Sequence, residues 1–173
     1  RLGELWERDE VTFADVSIAL CRMHALVRDE RWRGSFRRPP GPAAPRVLLS
    51  TIRGDQHTFG LSVAADAFRR ARWLTSFAGG VDADELVALI ATESFDVLAL
   101  SATNSIATRR IASFVADCRR ASKRENLIVV AGGQAFAEGA AAASEFGVDL
   151  ILERAEAAPE AVRSLIAEQE AER

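Results

Sequence analysis

The sequence predicts a doubly wound α/β domain, a five-stranded parallel sheet with helices on both faces, preceded by a partial helical cap. Three observations predict it. Four short runs, Val47–Ile52, Val97–Leu100, Leu127–Ala131 and Leu150–Leu152, are almost continuously apolar, and a weaker one spans Trp73–Ala78. Unbroken apolarity without alternation marks strands buried on both faces, which means a parallel sheet. Helical stretches separate the runs, and strand starts recur about every 25 residues, the length of a βα unit.

The elements follow in order. Residues 1–36 are expected to form the partial cap. Thr12 with Asp15 reads as a capping box, and Phe13, Val16, Leu20, Met23 and Val27 recur at helical spacing as one apolar stripe. A lone helix of that length cannot bury its stripe by itself. It must pack on the second segment or on helices outside this sequence. The chain opens at Arg1, within a turn of that pattern and without an initiator Met, so it reads as a piece of a longer protein. Residues 37–45, RRPPGPAAP, hold four prolines and a glycine and are read as a linker, because proline fixes φ and removes donors. Residues 46–173 carry the α/β domain, with helices expected over Leu61–Arg72, Asp82–Thr92, Ile106–Ser122, Ala135–Phe146 and Ala158–Ala171. Among doubly wound folds the flavodoxin-like strand order 2-1-3-4-5 is the natural expectation.

Composition narrows the function classes. The 173 residues are 49% hydrophobic and 27% charged, with a formal net charge of -3. That is a globular balance, and it gives no general attraction to nucleic acid or anionic membrane. Any DNA contact is therefore expected to be indirect. No apolar run approaches the roughly 20 residues that span a bilayer. Cys21 and Cys118 cannot make a disulfide framework or a thiolate cage, so a reducing cytoplasm is the expected compartment. Cys21 and His24 stand three apart on one helical face and are read as flanking the apolar stripe rather than as a metal-facing pair.

Ligands of open parallel sheets bind beyond the carboxyl ends of the strands, at the switch point. Three segments fall there: Arg53–Gly60 after the first strand, Ser101–Ser105 after the third, and Gly132–Gln134 after the fourth. In the expected order those strands are neighbours, so the segments share one rim. Asp55 and His57 are two apart, which lets both side chains lie on one side of an extended loop. A carboxylate beside an imidazole fixes its tautomer and raises its basicity, the usual support for a metal-bound histidine. Gly54 and Gly60 let backbone turn or approach a bulky planar ligand. Ser101 and Thr103 supply small hydroxyls, and Gly132 and Gly133 remove two side chains where a ligand could lie.

Asp55-x-His57-x-x-Gly60, then Ser101-x-Thr103, then Gly132-Gly133, resemble the three-part signature of cobalamin-binding domains of the methionine synthase type. The resemblance runs from Arg46 to about Ala157. It implies a cofactor bound base-off, with His57 as lower ligand of the metal and Asp55 as its orienter. It further implies that Ser101, Thr103, Gly132 and Gly133 line a slot for the nucleotide tail. The first segment, Trp6-x-x-Asp9-Glu10 with Val11-Thr12-Phe13, is similar to the last helices of the bundle that caps cobalamin. Family members that hold the upper face carry a Glu-His pair near the start of that helix, where this chain has Asp15-Val16-Ser17. With that substitution the segment is closest to the photosynthesis-gene regulators of purple bacteria, a group that includes AppA-type antirepressors in which heme replaces cobalamin. The resemblance thus implies cobalamin or heme as cofactor and a transcriptional repressor as partner.

Other classes fit less well. A phosphoacceptor receiver needs a carboxylate where the third strand ends in Ser101. A dinucleotide site needs G-x-G-x-x-G, which Arg53–Gly60 lacks, and an FMN phosphate loop would find only Thr58. Two readings remain. One is a light- or redox-responsive regulatory module without turnover of its own. The other is the cobalamin-carrying domain of a corrinoid methyltransferase or mutase.

Overall fold

The computed structural model describes residues 5–6, 8–28, 40–41, 43–52, 55, 57–103, 111–137 and 143–171. The chain divides into two compact units, Arg1–Arg37 and Arg38–Arg173. In the first, helix α1 spans Phe13–Arg28, opened by the expected capping box. The Thr12 backbone N–H donates to Asp15 Oδ2 at 3.0 Å, and Asp15 N–H donates to Thr12 Oγ1 at 3.2 Å. These bonds to Thr12 hold the Asp15 carboxyl below its ordinary pKa. Along α1, Val16 and Met23 are half-buried, while Leu20 and Leu26 are exposed. Cys21 is exposed. Trp6 is half exposed. Of the expected linker, residues 37–39 and 42 lie outside the described residues.

The second unit is the five-stranded parallel sheet the sequence predicts, in the order β2-β1-β3-β4-β5. The strands are β1 Arg46–Thr51, β2 Leu74–Ala78, β3 Val97–Ser101, β4 Ile128–Gly132 and β5 Leu150–Leu152. Helices α2 Phe59–Arg70, α3 Ala83–Thr92, α4 Ile111–Ala121, the short α5 Gln134–Ala137, and α6 Ala158–Ala171 connect and flank them. Alternate strand residues feed two cores. Val47, Leu49, Val97, Ala99, Ile128 and Val130 pack with α2 and α6 through Leu61, Phe68 and Val162. Leu48, Leu98, Leu100 and Val129 pack with α3 and α4 through Leu86, Ile90, Ile111 and Val115.

Because both faces of each central strand are apolar, hydrophobic alternation cannot fix the register. Polar clamps do so instead. The Arg46 N–H donates to Asp96 Oδ2 at 2.7 Å and the Val129 N–H to Asp149 Oδ2 at 2.7 Å. Arg119 also holds Asp149, at 2.8 Å, and the Leu127 carbonyl, at 2.6 Å. On the other side, buried Ser50 donates to the Ala78 carbonyl at 2.8 Å, and Thr51 Oγ1 accepts the Gly80 N–H at 3.0 Å. The outcome is one transverse row at the carboxyl ends of the strands: Thr51 beside Ser101, Ser101 beside Gly132, Gly132 beside Leu152.

Two of the expected helices differ where they are described. Helix α2 runs Phe59–Arg70 rather than 61–72. Arg72 takes φ +71°, and the Trp73 and Arg72 N–H groups donate back to Phe68 and Arg69 carbonyls, each at 3.0 Å. This is a Schellman closure, which drops Trp73 onto Phe68 with ring centroids 5.1 Å apart. The expected helix Ala135–Phe146 is described only at its ends, as α5 and as a 3₁₀ turn Ala143–Phe146. Residues 138–142 between them lie outside the described residues. The start of the helix expected at Ile106 lies outside the described residues. Among these, no helix is long and apolar enough to cross a membrane.

Candidate functional site

Past β1 the chain leaves the sheet but stays tied to it. The Ile52 N–H donates to the Ser101 carbonyl at 3.0 Å, and the Asp55 N–H donates to the Ile52 carbonyl at 2.9 Å. That turn buries Asp55, 2% exposed, beneath the loop. Asp55 is not left unpaired. Oδ1 accepts the His57 backbone N–H and lies 2.9 Å from His57 Nδ1. Oδ2 accepts the Thr103 backbone N–H and the Thr103 hydroxyl, the latter at 2.9 Å. Four bonds use the full acceptor capacity of one carboxylate. Burial pushes the Asp55 pKa up, but the His57 and Thr103 N–H groups, with the two side-chain bonds, outweigh it and hold the carboxyl below its ordinary range.

The tautomer of His57 follows. An ionised carboxylate only accepts, so Nδ1 must carry the proton. Thr103 Oγ1, 3.0 Å from Nδ1, shares that proton while donating its own to Asp55. The lone pair is therefore on Nε2. The His57 side chain is 73% exposed, and among the described residues nothing bonds to Nε2. The loop thus presents one basic imidazole nitrogen outward, with its other nitrogen anchored to a buried anion, which is the arrangement a metal-bound histidine needs.

Behind the row of strand ends lies a cavity of about 180 Å³. Gly60 and Ala64 of α2, Ser101, Gly132, Gly133 and Leu152 are among its lining residues. The three glycines are glycine for different reasons. Gly133 sits at φ +105°, and a Cβ there would stand 2.3 Å from the Ala102 carbonyl oxygen. At Gly132 a Cβ would meet the Leu152 carbonyl oxygen at 3.0 Å. Both are required by the turn and the strand packing, whatever binds. Gly60 is different: its φ is not positive, and nothing lies within 4 Å of where a Cβ would be. Neither backbone nor packing asks for glycine there, and Gly60 is among the cavity's lining residues.

The residues singled out in the sequence therefore fall into two groups on one rim. Asp55, His57 and Thr103 form the hydrogen-bonded cluster, and Gly60, Ser101, Gly132 and Gly133 line the cavity. Thr103 departs from its expected place: it belongs to the histidine cluster and is not among the cavity's lining residues, because both its N–H and hydroxyl are taken by Asp55. Leu61, Phe68 and Val130 wall the cavity but are the same residue types as the core, so nothing in the sequence set them apart. Glu153 at its rim was within reach of the carboxyl-end rule, since it directly follows β5. Gly54 lies outside the described residues.

A flavodoxin-like sheet that presents a carboxylate-anchored histidine above an apolar slot defines a class of metal-tetrapyrrole-binding domain. Comparison with known proteins makes it specific: residues 45–163 match the B12 binding domain, and the chain belongs to that family. It is 26% identical over 151 residues to an uncharacterized 20.5 kDa protein of the bchF-crtJ intergenic region of Rhodobacter capsulatus, covering 87% of this chain and 78% of that one. In fold it is similar to the monomethylamine corrinoid protein of Methanosarcina barkeri, with a TM-score of 0.73 at 15% identity over 94% of this chain and 76% of that one. A cobalamin-binding protein from Desulfitobacterium hafniense DCB-2 gives a TM-score of 0.61 at 16% identity, covering 94% and 75%. The methanol:cobalamin methyltransferase complex MtaBC of M. barkeri gives 0.56 at 19% identity, covering 96% and 63%.

The residues fit the family's cofactor. An exposed imidazole whose Nδ1 is held by Asp55 suits cobalt, and the apolar slot beside Gly60 suits a nucleotide tail.

Proposed function

We propose that this chain binds a corrinoid base-off, with His57 Nε2 as the lower axial ligand, and acts as a regulatory module that reports cofactor state to a transcriptional repressor. The observation that carries the binding half is the pairing of the anchored imidazole with the slot on one rim. Asp55 holds the His57 tautomer and orientation, Thr103 locks Asp55, and Ser101, Gly60, Gly132 and Gly133 line the slot that takes the tail. When bound, the corrinoid supplies a cobalt whose oxidation state and upper ligand respond to redox conditions and light. Heme, the other cofactor the sequence suggested, has no nucleotide tail and would leave the slot unused, so the corrinoid is the better fit.

The regulatory half rests on the first segment. Asp15-Val16-Ser17 stands where a cap that grips the upper ligand carries Glu-His. A cap without that grip is free to respond to the pocket, and such a response signals only if ligand and partner affinities are coupled reciprocally. The similarity to a protein of the bchF-crtJ intergenic region agrees with the photosynthesis-regulator resemblance. The second reading, a carrier domain serving a methyltransferase, is favoured by the fold similarity to the methyltransferase complex.

The deciding experiment measures repressor binding with and without hydroxocobalamin, beside a methyl-transfer assay with the loaded chain. Ligand-dependent repressor affinity supports the regulator. Methyl transfer with no partner contact in any ligand state supports the carrier. Absorption titrations with hydroxocobalamin and hemin decide the tetrapyrrole.

A further inference from the structure

Strand β2 ends one side of the sheet, and its outer edge is bare. The Leu74 N–H donates to the Pro45 carbonyl, and the Ala78 carbonyl accepts from Ser50, so Leu74, Ser76 and Ala78 turn their backbone groups toward β1. These groups alternate sides along a strand, so the N–H and C=O of Thr75 and Phe77 point away from the sheet. Among the described residues no hydrogen bond reaches them. Natural edge strands are blunted by charge, proline or a bulge. The sequence of β2, Leu-Thr-Ser-Phe-Ala, has neither charge nor proline, its register with β1 runs without a bulge, and Phe77 is 47% exposed. The nearby charges lie beyond the strand and are opposite at its two ends. Exposed Arg72 precedes β2, and exposed Asp82, Asp84 and Glu85 follow it.

We propose that the β2 edge is a homodimer interface, on which β2 of a second copy pairs antiparallel about a two-fold axis at Ser76. A two-fold contact requires one surface to complement itself, and this edge does so in backbone, side chain and charge. In that register Thr75 of each copy faces Phe77 of the other. Those are the residues whose N–H and C=O point outward, so both pairs exchange their two bonds, and Ser76 faces Ser76 as a non-hydrogen-bonded pair. Thr75 and Phe77 also share a face of the strand. Each exposed ring then lies beside a threonine of the other copy, the aromatic and β-branched pairing that stabilises antiparallel strands. Finally, antiparallel pairing sets the Arg72 end of one copy against the Asp82–Glu85 end of the other. A foreign strand could take the backbone bonds, but the reversal of charge from end to end matches a second copy. A strand pair this short buries less than the roughly 1,200 Å² of stable complexes, so the dimer is reversible. None of this depends on what binds beside His57.

Sedimentation velocity of the full 173-residue chain, from low micromolar to several hundred micromolar protein, tests this. The sedimentation coefficient should rise from monomer to dimer with concentration, and added salt should shift the midpoint to higher protein by screening the end charges. Thr75→Pro removes an outward N–H and no bond to β1, and Phe77→Lys puts a charge on the edge. Each should weaken the dimer at least about tenfold, the effect of losing two of the four backbone bonds or of setting lysines into the contact. Ser76→Cys, combined with Cys21→Ser to remove the exposed native thiol, should cross-link on mild oxidation. Non-hydrogen-bonded antiparallel partners stand about 4.5 Å apart at Cα, within disulfide reach, and Cys118 is buried. A chain that stays monomeric at every concentration overturns the proposal. A dimer that persists undiminished in folded Thr75→Pro and Phe77→Lys lies on another face and overturns it too. Dimerisation without the Ser76→Cys cross-link overturns the two-fold register. If neither edge variant folds, the cross-link decides: its formation supports the edge and its absence overturns it.

Discussion

His57 Nδ1 lies 2.9 Å from Asp55 Oδ1, an exposed imidazole tied to a buried carboxylate that already accepts three other hydrogen bonds. The pair divides labour: Asp55 fixes the proton on one ring nitrogen, and the other nitrogen is left to a ligand.

His57→Ala is expected to abolish or strongly weaken corrinoid binding, seen as loss of the absorption change on titration. The fold should survive, since the side chain is 73% exposed and its Nδ1 meets only Asp55 and Thr103, while Asp55 keeps its bonds from the His57 and Thr103 N–H groups. A loss of about 1 kcal/mol would lower Tm by roughly 2–4 °C. Unchanged spectra and affinity would remove His57 from the metal.

Asp55→Asn and Thr103→Val probe the anchor. An asparagine amide puts its NH2 at one of the two carboxylate positions, against either the His57 or the Thr103 N–H, and the clash of donors in a buried site should destabilise by about 1–3 kcal/mol. The surviving folded protein should bind corrinoid about 10- to 100-fold more weakly, the usual effect of losing a histidine's supporting partner. Thr103→Val keeps the backbone bond and should show the smaller loss of the two. Wild-type affinity in both variants would mean that the cluster serves folding alone.

The glycines separate folding from binding. Gly133→Ala should lower stability by about 1–3 kcal/mol or more, because φ +105° and the 2.3 Å approach to the Ala102 carbonyl leave no room for a Cβ. Gly60→Leu should leave Tm near wild type, since nothing lies within 4 Å of its Cβ position, yet fill the route into the cavity. Thermal melts paired with corrinoid titrations distinguish the two. A Gly60→Leu chain that binds normally would deny Gly60 a role in ligand clearance.

The thiols should differ sharply. Burial, with the Asp117 charge adding to it, pushes the Cys118 thiol up to about 12, whereas Cys21 is exposed. At pH 8 an aromatic disulfide reagent should titrate one thiol in the native chain and the second only on unfolding. The linkage has a definite sign. The folded state keeps the Cys118 proton that the unfolded chain releases near pH 9, so this contribution is whole below pH 9 and is lost as pH rises from 9 toward 12. Cys118→Ala should flatten that alkaline decline in Tm.

Much of this was legible in the sequence, for identifiable reasons. The strands could be read because Val97–Leu100 and its counterparts are apolar on both faces, and the strand order was expected from the common order of the doubly wound class that the βα spacing indicates. The histidine cluster could be read because Asp55 and His57 carry uncommon chemistry two residues apart at a strand end. The walls of the slot could not. Phe68 and Val130 are ordinary core residues in any local window, and only the tertiary packing leaves space beside them. Nor could composition say that Gly133 is glycine for its backbone and Gly60 for its missing side chain. Thr103 was found but misplaced, because its bonds to Asp55 span 48 positions of sequence.

Of the slot's walls, Leu61, Phe68, Ala99, Val130 and Ala158 belong to the core that α2 and α6 cover, and of the described buried lining residues Leu100 alone comes from the core under α3 and α4. The sheet is therefore a partition. A tail that fills the slot tightens one side of the molecule and leaves the other as it was. Amide hydrogen exchange in α2 and α6 should slow on loading while α3 and α4 keep their apo rates. A partner that docks on α2 or α6 meets a surface whose stiffness depends on the cofactor, and one that docks on α3 or α4 meets a surface that does not change.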